Sequence, residues 1–316
     1  MDPVKRHTAV IRVDGLTKRY GQTLAVDGLT FEVRPGHVTG FLGPNGAGKS
    51  TTMRLILGLD APTAGTVTVG GVPYRRMRRP LYEVGATLEA DAVHPGRSAR
   101  AHLTALARSC AIPRRRVDEV LGLVGLDAVA GRRVGTFSLG MTQRLGVAAA
   151  LLGDPGVLLL DEPVNGLDPE GVTWIRGLLR ALVAEGRTVL VSSHLMTEMA
   201  LTADHLIVLG RGRLIAQTSL QDFVRQAGAA GVMVRSPERD RLAELLRHDG
   251  ATVEARDHDA LWVSGVEPAA VGRTALRHGI ELHELVAQQA SLEEAFMRLT
   301  AGAADYRSRP IDAEAV

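Results

Sequence analysis

The sequence predicts an α/β protein built around a mostly parallel β-sheet. Two short apolar runs, 38–42 and 157–160, are typical of strands that are buried on both faces, as in a parallel sheet. A glycine-rich loop at 43–51 follows the first run and precedes a helical pattern over 52–57. Polar residues at the ends of such strands lie where open α/β sheets bind their ligands.

Length and composition limit the functions to consider. The 316 residues suffice for two domains of about 150 residues each. The 37 basic and 35 acidic residues nearly cancel, so no general attraction to nucleic acid is expected. The single cysteine, Cys110, excludes an internal disulfide and suits a reducing cytoplasm. Residues 1–7 lack the apolar run of a signal peptide, and no run approaches the roughly 18 apolar residues of a membrane span, so we expect a membrane function to need a second chain.

The loop at 43–51 matches G-x-x-x-x-G-K-[ST], the phosphate-binding loop of nucleotide triphosphatases. Glycines let successive backbone N–H groups converge on phosphate oxygens at a helix N-terminus. Lys49 can reach the β and γ phosphates, and the Ser50 hydroxyl is a suitable Mg²⁺ ligand. The predicted nucleotide-binding residues of this loop are Gly43, Pro44, Asn45, Gly46, Ala47, Gly48, Lys49, Ser50 and Thr51.

Two carboxylates, Asp161 and Glu162, follow the buried strand at 157–160. Adjacent strand residues face opposite sides, so one carboxylate can hold Mg²⁺ while the other orients or deprotonates a water. Phosphoryl transfer to water requires this division, with Asp161 as the metal ligand and Glu162 as the base. The alternative is a pair of solvated carboxylates. His194, at the tip of a strand predicted over 187–193, is a candidate γ-phosphate contact or a structural histidine.

The remaining elements of this part are short strands and a helical insert. Strands are predicted at 10–13 and 24–33, with a turn at 14–15, and a helical region is predicted over 98–129. Tyr20 is a candidate for stacking on an adenine ring; the alternative is a half-buried tyrosine at a strand end. Ser138 is placed as the N-cap of an apolar helix.

Together these segments resemble the ATP-binding subunit of an ABC transporter over residues 8 to about 220. Six motifs occur in the family's order: the adenine-stacking aromatic, Walker A, the signature, Walker B, the D-loop and the switch histidine. They correspond to Tyr20, 43–51, 137–144, 157–162, 165–168 and His194. The resemblance implies a P-loop NTPase fold in which the domain at 8–220 carries an antiparallel β subdomain and a helical subdomain at about 75–150.

The resemblance also implies a mechanism and partners. It implies that ATP and Mg²⁺ bind, that Glu162, His194 and Lys49 are catalytic, and that two copies form a head-to-tail dimer around two ATP molecules. In that dimer the signature residues Ser138 and Gly140 would contact the partner's nucleotide, and Asp168 of the D-loop is a further predicted ATP contact. It further implies a separately encoded permease, a location on the cytoplasmic face of the membrane and no nucleic-acid partner. The alternative is a soluble ABC-type ATPase that acts on ribosomes or nucleic acid.

Two departures from the family pattern affect the site. The usual Leu-Ser-Gly-Gly-Gln signature reads Phe-Ser-Leu-Gly-Met at 137–141, which keeps the serine and the second glycine. Glu89 stands where the family has a glutamine near Mg²⁺, and a carboxylate can still bind the metal. These variants, with an added C-terminal domain, are similar to the exporter ATPases of the bacitracin and daunorubicin resistance group.

The C-terminal part, residues 221–300, is predicted to form a small α+β domain. Its pattern reads strand, helix, two strands, helix, strand, which indicates a ferredoxin-like fold. A capping box starting at Ser291 predicts one more helix, and residues 301–316 are predicted to be a flexible tail. No catalytic cluster is evident in this part.

Overall fold

A computed structural model describes residues 8–88, 93–226, 231–288 and 292–300. The chain divides into two compact units, one ending at Ser219 and one spanning Leu220–Ala301. In chain order, the elements of the first unit are β1 (Ile11–Tyr20), β2 (Thr23–Val33), β3 (Val38–Leu42), α1 (Lys49–Ile56), β4 (Ala64–Val69), α2 (Pro80–Glu83), β5 (Val84–Thr87), α3 (Ala99–Ser109), α4 (Arg115–Leu123), α5 (Leu139–Leu151), β6 (Val157–Leu160), α6 (Pro169–Ala184), β7 (Thr188–Ser192), α7 (Met196–Thr202), β8 (His205–Gly210) and β9 (Arg213–Ser219).

A six-stranded sheet in the order β5-β6-β7-β3-β8-β9 forms the centre of the first unit. Its first five strands are parallel, and β9 pairs antiparallel with β8. Every residue of β3, β6 and β7 is buried, which explains why these strands read as continuous apolar runs. The predicted parallel sheet is confirmed, and the carboxyl ends of β3, β6 and β7 lie along one edge.

A three-stranded antiparallel sheet, ordered β2-β1-β4, lies beside the central sheet in this unit. The predicted turn at Asp14 and Gly15 is wrong, because β1 runs without a break from Ile11 to Tyr20. The pairing of β1 with β2 shifts register between Val13 and Leu16, and Gly15 has a φ of +56°. A glycine in the left-handed region is typical of a β-bulge, so the signal for a turn here marks a bulge instead.

The predicted helical region consists of α3 and α4. Ser98 caps α3 by accepting a hydrogen bond from the N–H of Ala101 at 3.2 Å. One strand, β5, lies inside the range 75–150 that was predicted as a helical subdomain, and it pairs with β6 at the edge of the central sheet. This short strand leads towards residues 89–92, which lie outside the described residues.

The second unit contains a four-stranded antiparallel sheet with two helices packed on it. Its elements are α8 (Leu220–Gln226), β10 (Gly231–Arg235), α9 (Arg239–His248), β11 (Thr252–Ala255), β12 (Ala260–Ser264), α10 (Pro268–Arg277), β13 (Glu284–Gln288) and α11 (Leu292–Thr300). The predicted chain order of strands and helices is present from β10 to β13. In the sheet the strands are ordered β11-β12-β10-β13. Apolar residues of α9 and α10 bury one face of the sheet. Ser291 and the predicted tail at 301–316 lie outside the described residues.

We expect Gly85→Ala to destabilise the first unit. A Cβ at Gly85 in β5 would overlap the carbonyl oxygen of Ala150 in α5. Overpacking of this kind costs about 1–3 kcal/mol. Gly177 in α6 has open space at its Cβ position, so Gly177→Ala should be neutral or stabilise by up to about 1 kcal/mol. Urea unfolding of the two variants checks the prediction, and equal stability would show that β5 and α5 are less closely packed.

Candidate functional site

The phosphate loop connects the end of β3 at Leu42 to the start of α1 at Lys49. Gly48 has a φ of +98°, and a Cβ there would lie 2.6 Å from the carbonyl oxygen of Ala25. At Gly43 a Cβ would lie 2.8 Å from the carbonyl oxygen of Leu209. Only glycine therefore fits these two positions, and the loop leads into the N-terminus of α1, where backbone N–H groups favour an anion.

Lys49 is buried within this loop, with 7% of its surface exposed. Its Nζ donates hydrogen bonds to the carbonyl oxygens of Gly43 at 2.6 Å and Pro44 at 3.3 Å. Burial lowers the pKa of Lys49, while the nearby carboxylates of Glu162 and Asp161 act in the opposite direction. The structure therefore brings together the lysine and the two carboxylates that the sequence predicted.

The two carboxylates follow β6, as predicted. The prediction that strand pleating directs Asp161 and Glu162 to opposite sides is wrong. The strand ends at Leu160, and Glu162 has a φ of +50°. A left-handed residue, rather than strand pleating, thus sets the direction of Glu162. Such a conformation costs a non-glycine residue about 1–3 kcal/mol and persists only where the surroundings hold it.

Ser192, the last residue of β7, is hydrogen-bonded to both Asp161 and Glu162. It was not predicted from the sequence as a site residue. Its hydroxyl donates a hydrogen bond to Oδ1 of Asp161 and accepts one from the N–H of Glu162 at 2.9 Å. Ser192 is completely buried. A signal was present, because a serine at the carboxyl end of a buried parallel strand lies at the ligand-binding edge of the sheet.

His194 lies beside Glu162, two residues beyond the end of β7. Its Nδ1 is 2.7 Å from Oε2 of Glu162, and its backbone N–H donates to the same oxygen at 3.3 Å. These two contacts fix the orientation of the Glu162 carboxylate. The predicted position of His194 at a strand tip is confirmed, and its neighbour in the structure is the predicted base.

An open cavity of about 600 Å³ is lined by loop residues 45–51 and by the two carboxylates. Its lining also includes Tyr20 and five residues that were not predicted from the sequence to belong to the site: Thr23, Leu24, Ala25, Leu88 and Arg211. The Tyr20 hydroxyl donates to Oδ2 of Asp60 at 2.7 Å. Burial, and then the hydrogen bond to Asp60, raise the pKa of Tyr20. These contacts orient the Tyr20 ring, which remains 44% exposed.

Six predicted nucleotide contacts do not line this cavity: Gly43 and Pro44 at the start of the loop, His194 beside Glu162, and Ser138, Gly140 and Asp168 at the starts of two helices. Ser138 caps α5 by accepting a hydrogen bond from the N–H of Met141 at 3.2 Å, and Gly140 lies in the first turn of that helix. Asp168 caps α6 by accepting one from the N–H of Gly171 at 2.8 Å. Glu89, the third predicted metal ligand, lies outside the described residues.

The oxygen atoms at the site suit a hard cation such as Mg²⁺ that takes its remaining ligands from outside the protein. Asp161 offers a carboxylate and Ser50 an exposed hydroxyl at the cavity, and both are oxygen donors of the kind that Mg²⁺ prefers. Within the described part of the chain, no group of three or more His, Cys, Asp or Glu side chains is placed to hold a metal. A Mg²⁺ ion here would therefore complete its coordination with phosphate oxygens and waters.

The fold and this site define a P-loop ATPase. Residues 26–165 match the ABC transporter family, and residues 230–293 match a domain of unknown function. The bacitracin transport ATP-binding protein BcrA of Bacillus licheniformis is 32% identical over 308 residues, covering 93% of this chain and 98% of that protein. The Nod factor export ATP-binding protein I of Ralstonia nicotianae is 36% identical over 308 residues, covering 93% and 94%.

A solved structure of an ATP-binding subunit of an ABC transporter has a TM-score of 0.63 at 26% identity, covering 69% of this chain and 92% of that one. The chain belongs to the ABC transporter family, as an ATP-binding subunit. It is an ATPase of the class that hydrolyses ATP to drive transport, and the predicted family, fold and enzyme class are confirmed.

We expect Ser192→Ala to slow ATP hydrolysis by about 10- to 100-fold while ATP affinity changes little, because misplacing a reacting group by about 1 Å has effects of this size. The substitution removes the hydroxyl shared by Asp161 and Glu162 but leaves the phosphate loop intact. Steady-state kinetics with ATP titration measure both quantities.

Ser236 provides a matched control in the second unit. It is also completely buried, and its hydroxyl donates to the carbonyl oxygen of Glu281 and accepts from the N–H of Glu238. Ser236→Ala should leave hydrolysis unchanged. Equal rates for the two variants would contradict the role of Ser192.

Proposed function

We propose that this chain is the ATP-hydrolysing subunit of an exporter, that it dimerises on ATP, and that it drives a separately encoded transmembrane permease with a drug, antibiotic or peptide cargo. The observation that carries the proposal is the Glu162 carboxylate, oriented by His194 at one end of the cavity that contains Lys49 and the phosphate loop. In this proposal a γ-phosphate held by Lys49 would lie in the cavity that Glu162 also lines.

The residues of this chain divide the work of phosphoryl transfer. Loop N–H groups hold the phosphates, and Lys49 exchanges its contacts with Gly43 and Pro44 for β- and γ-phosphate oxygens. Glu162 accepts a proton from the attacking water, and His194 keeps that carboxylate in place. Bound Mg²⁺, held by Ser50 and Asp161, would neutralise charge on the phosphates.

Dimerisation is proposed because three of the predicted nucleotide contacts lie at the starts of α5 and α6, outside the lining of the cavity of their own chain. Ser138 and Gly140 are at the start of α5, where free N–H groups and the helix dipole favour an anion. Asp168 is at the start of α6. A second copy in head-to-tail orientation would present these residues to the γ-phosphate held by the first.

A membrane partner is proposed on the basis of the relatives and one surface. The two relatives named above are described as acting in bacitracin transport and Nod factor export. No helix among the described residues is long and apolar enough to span a membrane. A cavity of about 320 Å³, lined partly by Leu57, Leu59 and Leu88, offers an apolar surface, and Leu59 is 55% exposed. We propose that the permease docks at this cavity from the cytoplasmic face of the membrane.

Glu162→Gln should bind ATP normally, lose turnover and accumulate as an ATP-bound dimer. The amide keeps the shape of the side chain but cannot accept a proton from water. The rate should fall by about 10²- to 10⁴-fold, the usual contribution of a general base. Hydrolysis and size-exclusion chromatography with ATP are the measurements, with Glu119→Gln on the surface of α4 as the control. Normal turnover in Glu162→Gln would remove Glu162 from the catalytic role.

The permease is tested by gentle solubilisation of membranes that contain the tagged Glu162→Gln chain with ATP. A multispan membrane protein should co-purify, and a Leu59→Asp substitution should release it because it places a charge in the proposed apolar contact. Leu201 is equally exposed, at 56%, on α7, so Leu201→Asp should retain the partner. Recovery of ribosomes or nucleic acid instead would favour the soluble alternative.

A further inference from the structure

The left-handed backbone of Glu162 is held by contacts on both sides of the residue. Its N–H donates to the Ser192 hydroxyl, and its side chain contacts His194. Its carbonyl oxygen accepts a hydrogen bond at 3.1 Å from Nε2 of Gln143. Ser192 and His194 come from β7 and the segment after it, whereas Gln143 comes from α5.

Gln143 is suited to hold a backbone carbonyl in a fixed place. It lies in the second turn of α5, is only 5% exposed, and directs its amide out of the helix towards residue 162. Long polar side chains are rarely buried unless they are hydrogen-bonded, because loss of the bond leaves an unpaired group that costs about 1–3 kcal/mol. The hydrogen bond to Glu162 gives the buried amide of Gln143 an acceptor and the carbonyl oxygen of Glu162 a donor.

The first turn of α5 also packs against the segment that follows Glu162. A Cβ at Gly166, where φ is +73°, would overlap Cδ2 of Leu139. A Cβ at Gly140 would lie 3.2 Å from the carbonyl oxygen of Gly166 and 3.5 Å from Cδ2 of Leu167. Leu139 replaces a glycine of the usual signature, so its contact with Gly166 is a feature of this chain. The start of α5 and residues 162–167 therefore form one packed unit.

We infer that Gln143 is a positioning residue for ATP hydrolysis: through the carbonyl of Glu162 it holds that residue in the left-handed conformation that directs its carboxylate to the attacking water. The inference rests on the proposed role of Glu162 as the base. The same helix begins at Ser138, so α5 joins the proposed contact with the partner's nucleotide to the base of its own chain over five residues. Gln143 itself does not line the cavity of the phosphate loop.

The test is Gln143→Leu, which keeps the size of the side chain and removes the amide donor. The turnover number should fall by about 10- to 100-fold, because a shift of about 1 Å in a reacting group has effects of this size. The KM for ATP should stay within about threefold, since the phosphate loop is untouched and only binding common to ground and transition states would move it. Steady-state kinetics separate the two parameters.

Gln217→Leu is the matched control. Gln217 in β9 also donates its amide to the backbone carbonyl of a glutamate, Glu32, at 2.7 Å, but Gln217 is exposed and Glu32, unlike Glu162, does not line the cavity. Its variant should hydrolyse ATP at the wild-type rate. Thermal unfolding of both variants should confirm that each remains folded, so that loss of structure does not account for a slower rate. A Gln143→Leu protein as fast as Gln217→Leu would overturn the inference.

A double-variant cycle separates this inference from the proposed function. If Gln143 acts only through Glu162, adding Gln143→Leu to Glu162→Gln should leave the residual rate unchanged. A further fall of tenfold or more in the double variant would contradict the inference, because Gln143 would then act independently of Glu162. Normal hydrolysis by Glu162→Gln alone would instead contradict the proposed function.

Discussion

Burial of Lys49 among the carbonyls of the phosphate loop is the constraint on which the site depends. An ammonium group loses favourable hydration when it is buried and needs partners in compensation. Here the loop carbonyls of Gly43 and Pro44 lie within hydrogen-bonding distance, and two carboxylates lie nearby. The loop can wrap the lysine this closely only because glycine occupies positions 43 and 48, where a Cβ would meet backbone oxygens. The arrangement places positive charge next to a nest of N–H groups, which suits a polyphosphate.

The parallel sheet brings the other half of the site to this lysine. Strands β3, β6 and β7 are neighbours in the sheet and end at one edge, so the loop, the carboxylate pair and His194 meet there although more than 140 residues separate the loop from His194 in sequence. Ser192 joins two of these strand ends through one buried hydroxyl. The polar groups at this edge are thus bonded to one another before any ligand is considered, which keeps their geometry rigid.

The backbone of Glu162 is in an unfavourable conformation that contacts from three parts of the fold hold in place. Its left-handed backbone is unfavourable for a residue with a Cβ, and contacts from α5, β7 and the segment after β7 hold it. The carboxylate then lies beside His194 rather than where an extended strand would direct it. Changes at the start of α5 bear on this residue because Leu139, Gly140 and Gln143 all belong to that helix. The change from the usual signature, with Leu139 in place of a glycine, therefore also alters the packing of α5 against the segment that follows Glu162.

The sequence by itself determined the elements whose pattern is local. Buried parallel strands read as apolar runs, the phosphate loop has a fixed spacing, and Ser98 and Ser138 cap the helices that follow them. The order of strands and helices in the second unit could also be predicted, because strands and helices differ in the spacing of their apolar residues.

What only the tertiary structure decided involves residues distant in the chain. The direction of Glu162, the bridging hydroxyl of Ser192, the amide of Gln143 and the bulge at Gly15 all depend on strands and helices that meet after folding. A hydrogen bond between positions 143 and 162, or 162 and 192, has no period and no motif, so the pattern of the chain alone could not predict it.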